Sequence, residues 1–121
     1  MVEIKNALVN TVVEGMRDKK GHNICVLDLR GIDGASADFY VICDGSSNTQ
    51  VEAIADSIED TVRETLGEKP LHYEGRANAE WILIDYHDVV AHVFLPRQRE
   101  FYNLEGLWSD AKRDDLPDDG E

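Results

Sequence analysis

Positive charge is scarce in this chain. Lys and Arg number 12 against 25 Asp and Glu in 121 residues, for a formal charge of −13. Nucleic-acid binding needs a basic footprint that neutralises phosphates and releases counterions. The balance therefore argues against direct contact with DNA, RNA or anionic lipid. It favours a basic protein, towards which an acidic surface steers association, although solubility is the plainer use of the same charge. Long apolar runs are also missing. No segment approaches the roughly 20 residues that cross a bilayer. The N-terminus, MVEIKNALVN, carries Glu3 and no unbroken apolar core, so it does not read as a signal peptide. A cytoplasmic protein is expected. Cys25 and Cys43 are the only cysteines, too few for a metal cage or a disulfide framework. Each lies in an apolar run, where a reduced cysteine acts as a small hydrophobe.

What is present has a clear order. Ile4, Leu8, Val12 and Met16, with Val9 and Val13 beside them, predict a helix over residues 2 to about 19, stopped at Lys19-Lys20-Gly21. Strands follow at His22 to Leu29 and at Phe39 to Cys43, the second apolar enough to be central in a sheet. After Asp44-Gly45-Ser46, a helix opens with capping-box spacing at Ser47 and Gln50. It buries Val51, Ile54, Ala55, Ile58, Val62 and Leu66 and ends at Gly67 and Pro70. Leu71 to Glu74 reads as a short strand. Phe101, Leu104, Leu107 and Trp108 have helical spacing after Pro96, with Trp108 anchoring that helix to the core. Together these predict one α/β domain over residues 1–109, a mixed sheet of about five strands with helices mainly on one face. From Asp110 the chain turns acidic and poor in apolar residues, which predicts a disordered tail over residues 110–121.

Glu80 to Pro96, EWILIDYHDVVAHVFLP, is two apolar runs hinged at Tyr86-His87. A two-residue hairpin turn there would set Asp85 opposite Asp88, Leu83 opposite Val90 and Trp81 opposite His92. Trp81, Leu83, Asp85, Val90, His92 and Phe94 then share one face, and Ile82, Ile84, Val89, Ala91 and Val93 the other. One face must meet the core. The second is an apolar stripe with a tryptophan and acidic ends, the character of an interaction surface.

Other chemistry finds little support. Asp44-Gly45-Ser46-Ser47 sits where phosphate-binding turns sit, but it lacks the GxxxxGK[ST] lysine and a GxGxxG run. Paired acids on the following strand, needed to hold Mg²⁺, are missing too. His22, His72, His87 and His92 show no metal-ligand spacing, and no GxSxG elbow is present. Asp85 and Asp88 flank a turn and fit turn-stabilising roles. No catalytic residue, metal or cofactor is expected; a nucleotide-binding enzyme at Gly45–Asn48 is the weakest alternative.

Several segments, in order, are similar to one family. They are Ala37-Asp38-Phe39-Tyr40-Val41-Ile42, Gly45-Ser46-Ser47-Asn48, Gln50 with Ala53-Ile54-Ala55-Asp56, Glu74-Gly75, Glu80-Trp81 to Asp85-Tyr86, Asp88-Val89-Val90, His92-Val93-Phe94, Arg99-Glu100-Phe101-Tyr102 and Leu104 to Trp108. The chain resembles the bacterial ribosomal silencing factor (RsfS, or Iojap) family. The resemblance implies a nucleotidyltransferase-like fold without the catalytic acids, and no enzymatic activity. It implies binding to the large ribosomal subunit through that subunit's fourteenth protein, which blocks joining of the small subunit and represses translation under nutrient limitation. Large-subunit assembly through the same contact is the alternative, and homodimers are common in the family. The expected contacts are Trp81, Leu83, Asp85, Val90, His92 and Phe94, with Tyr86 at the turn. Relatives often carry glycine where this chain has His87, which leaves the turn type, and so the pairings, open.

Overall fold

A computed structural model describes residues 6–118. The elements are α1 (Ala7–Asp18), β1 (His22–Asp28), β2 (Phe39–Asp44), α2 (Asn48–Leu66), β3 (His72–Glu74), β4 (Trp81–Asp85), β5 (Val89–Phe94), α3 (Pro96–Tyr102), α4 (Leu104–Leu107) and β6 (Lys112–Asp115). The sheet runs β3-β4-β5-β2-β1-β6, with β2 and β5 parallel and every other neighbouring pair antiparallel. It is the expected mixed α/β sheet, with six strands in place of about five.

The sixth strand corrects the expected disordered tail. Lys112 to Asp115 pair with β1, and Leu116 N–H continues the ladder by donating to Ile24 O at 2.9 Å. Beyond it, Asp118 accepts from Asn23 N–H, and Arg17 donates to Pro117 O. Composition shows the charges but not the open edge of β1, whose backbone groups need partners. Residues 119–121 lie outside the described residues.

The helices form where the apolar stripes predicted, with local corrections. For α1, residues 2–5 lie outside the described residues, and Asn6 is the N-cap, its side chain accepting from the N–H groups of Leu8 and Val9. Lys20, not Gly21, takes the left-handed conformation after α1 (φ 60°). Ser47 caps α2 and Gly67 ends it, as predicted, but Gln50 reaches back to the N–H and hydroxyl of Ser46 instead of the cap residue. Both helices cover one sheet face, packing Val12, Met16, Val51, Ile54 and Ile58 against Val41, Val93 and Ile84.

Where α1 crosses α2, the backbones nearly touch at Gly15. A Cβ there would lie 2.8 Å from Ile58 Cα, and Ser57 Oγ donates to Gly15 O at 2.8 Å. Gly15→Ala ordinarily strengthens a helix interior by about 1 kcal/mol. Here a backbone atom must move, so the overpacking cost of about 1–3 kcal/mol should prevail. A lower urea midpoint for the variant is the expected outcome; an unchanged or raised midpoint would contradict the close crossing.

Candidate partner-binding face

The opposite sheet face carries the candidate site. The hairpin has a two-residue loop, but its residues are His87 and Asp88. Tyr86 N–H donates to Val89 O at 2.9 Å, and Trp81 stands opposite Phe94, Leu83 opposite His92 and Asp85 opposite Val90. The predicted pairings are thus displaced by two residues. A shift of two preserves side-chain alternation, so the residues assigned to each face stay together. His87 supplies the positive φ (79°) that a glycine would otherwise take. Asp85 stabilises the turn by accepting from His87 N–H at 2.7 Å.

The stripe is less open than expected. Cys25, Leu27, Ile42 and Phe94 form a second core beneath Leu104, with Trp108, Ile32 and Ala35 packed against it. The C-terminal helix is broken at Asn103 (φ 46°), whose side chain accepts from Gly106 N–H. The break buries Leu104 but leaves Phe101 and Leu107 79% and 70% exposed, which corrects the single buried stripe expected there. Arg99 fastens this covering to the sheet. Its guanidinium donates to Asp44 (3.1 Å) and Glu105 (2.9 Å), both largely out of solvent, and to Asn23 O (2.7 Å) at the exposed margin.

Of the expected contacts, Trp81, Leu83 and Asp85 lie partly exposed on β4. Val90 is 8% exposed, His92 2% and Phe94 fully buried, so these three sit beneath the surface and support it. Tyr86 is also corrected. Displacement of the turn puts it on the helix-covered face, 6% exposed, where burial above all pushes its hydroxyl up to about 12. Sequence reasoning missed Tyr40 and Tyr102. Tyr40 meets His92 edge-on at 4.5 Å, and Tyr102 lies against Trp81 at 4.6 Å. Only the pairing of β2 with β5 brings Tyr40 beside Val90, and nothing local in the sequence signals it.

Two distant residues set Trp81. Gly75 (φ 92°) passes so close that a Cβ would fall 1.9 Å from Trp81 O. Asn48 donates its side-chain amide to Asn78 O and Ala79 O, holding the loop that feeds β4. The Gly45–Asn48 turn is thus engaged internally, with Ser47 capping α2 and Asp44 bound to Arg99. Asp85 and Asp88 do not face each other. Among the described residues no group of three His, Cys, Asp or Glu could hold a metal ion. Both cysteines are free and buried, and burial pushes the Cys25 thiol up to about 11.

With this geometry in view, the sequence model described as "Ribosomal silencing factor during starvation" matches residues 2–121. The chain belongs to that family. The ribosomal silencing factor RsfS of Bacillus subtilis is 46% identical over 99 residues, 82% of each chain. A crystal structure of a protein from Chromobacterium violaceum superposes with a TM-score of 0.81 at 31% identity, covering 98% of both chains. A mouse protein named "Mitochondrial assembly of ribosomal large subunit protein 1" is 26% identical over 109 residues, 88% of this chain and 47% of that one.

His92 makes the face pH-sensitive. Burial pushes its imidazole down to about 3, whereas the unfolded residue titrates near about 6.5. Between those values the unfolded chain binds the extra proton, so this contribution is complete above about pH 6.5 and is lost as pH falls towards 3, at up to about 1.4 kcal/mol per pH unit. Urea midpoints at pH 7.5 and pH 5 should fall further for the parent protein than for His92→Gln. Equal losses would contradict a neutral, buried imidazole.

Proposed function

We propose that this protein binds the large ribosomal subunit through the outer face of β4 and, seated there, blocks joining of the small subunit, so repressing translation when nutrients are scarce. The observation that carries the reading is the partly open stripe of Trp81 and Leu83, with Asp85 at its end, on a chain of formal charge −13. An acidic chain is repelled by ribosomal RNA and attracted by a basic ribosomal protein. The family resemblance implies the fourteenth protein of that subunit as the partner. Family membership and the name of the Bacillus relative support the silencing role. The protein acts without catalysis, by occupancy, and the internal bonding of the Gly45–Asn48 turn supports that. It works in the cytoplasm; among the described residues no helix is long and apolar enough to cross a membrane. A homodimer formed through the same stripe would compete with the ribosome.

The mouse relative's name favours a second reading, in which the same contact serves large-subunit assembly. Binding to immature particles with little effect on subunit joining in vitro would select it.

Leu83→Arg places a cation at a partly exposed position on the open stripe. Cosedimentation with purified large subunits should fall at least about tenfold, as for loss of a hot-spot contact. Binding of the parent protein should weaken between about 0.05 and 0.5 M salt as charge attraction is screened. Undiminished binding by the variant would remove this surface from the account.

A further inference from the structure

Trp81 and His92 are joined by a hydrogen bond that packing alone does not require. Indole Nε1–H donates to His92 Nδ1 at 3.1 Å. A neutral imidazole has one acceptor nitrogen and one N–H. With Nδ1 accepting, the proton resides on Nε2, and that atom is buried without a hydrogen-bond partner among the described residues. The neighbours of His92 are aromatic and aliphatic: Tyr40 edge-on, Phe94 stacked, and Leu83 and Ile42 on the adjoining strands. A leucine or phenylalanine would fill such a place without an unsatisfied polar atom. What histidine adds is an acceptor at one point, on a strand held by β4 on one side and β2 on the other.

That acceptor fixes the indole. Trp81 lies over Phe94, with centroids 4.9 Å apart and planes 22° apart, and its edge is tied diagonally across the strands to His92. Stacking alone permits the ring to slide or flip; the hydrogen bond selects one orientation and leaves the remaining ring surface beside Leu83 and Tyr102. A large anchor already ordered in the free protein loses less entropy on docking.

We propose that His92 is a positioning residue for partner recognition, holding the Trp81 indole in its docking orientation through Nδ1. The proposal rests on the docking function assigned above to this face.

The test uses the full chain in three forms: His92→Phe, which keeps a ring but removes the acceptor; His92→Gln, which keeps an acceptor; and the parent with Trp81 replaced site-specifically by 3-benzothienylalanine, which keeps the indole shape but has no N–H. The readouts are the urea midpoint, the Trp81 indole N–H resonance and its solvent exchange, and cosedimentation with purified large subunits. His92→Phe should shift the resonance, speed its exchange and weaken binding about three- to tenfold, the size of one hydrogen bond. His92→Gln should recover most of the binding, and the benzothienyl form should match His92→Phe. If His92→Phe fails to fold, the benzothienyl form decides the matter. Parent-like binding by that form, or equal loss in His92→Phe and His92→Gln, would overturn the proposal. Normal binding by Leu83→Arg would instead overturn the docking function itself, and this inference with it.

Discussion

β2 and β5 lie side by side and parallel, Phe39 to Asp44 matched with Val89 to Phe94, and the rest of the molecule is arranged around that pairing. A parallel pair cannot be joined by a tight turn, so the chain must cross over, and α2 is the main part of the crossover. Two central strands must then be covered on both faces, which is why both read as nearly unbroken apolar runs. α1 and α2 cover one face of these two strands. The other receives only the shorter α3, α4 and the loop before β2, so the β3–β4 side of that face stays partly open. The proposed docking face is what the second layer leaves uncovered.

The second layer is held by charge as well as by apolar contact. Arg99 stands between Asp44 at the end of β2 and Glu105 at the start of α4, with the Asn23 carbonyl completing its partners. Burial lowers the pKa of the guanidinium, and the hydrogen bond and charge of Glu105, together with the charges at Cys25 and Asp44, more than reverse this, leaving a net upward shift. Removing one member of such a group strands the others in a poorly solvated place. The acidic excess of the chain is therefore not uniform in purpose: Asp44 and Glu105 hold the fold, while Asp85 closes the turn from the rim of the open stripe.

Much of this was readable from residue order because local rules and the final packing agree. The stripe of α2, the Ser47 cap, the Gly67 stop and the two faces of the hairpin all follow from period and capping chemistry. The failures share a cause, which is that the deciding partner is distant in sequence. Asp110 to Asp118 look disordered until the edge of β1 is there to pair with. Phe101 and Leu107 look buried until Asn103 breaks the helix. Phe94 and His92 look exposed until Leu104 and Tyr40 arrive from elsewhere. The turn falls one residue later than the local pattern suggests because the Tyr86 ring belongs to the main core. The pairing differs by two positions, which leaves each strand side chain on its expected face.

The central claim is that an acidic chain meets the ribosome through protein and not RNA, at the open side of β4. Photo-crosslinking from position 83 tests it most directly, with a photoreactive amino acid in place of Leu83 and the full chain bound to purified large subunits. The account predicts a single protein adduct, to the basic fourteenth protein of the large subunit. An adduct confined to ribosomal RNA, or no adduct from a variant that still cosediments, would contradict it.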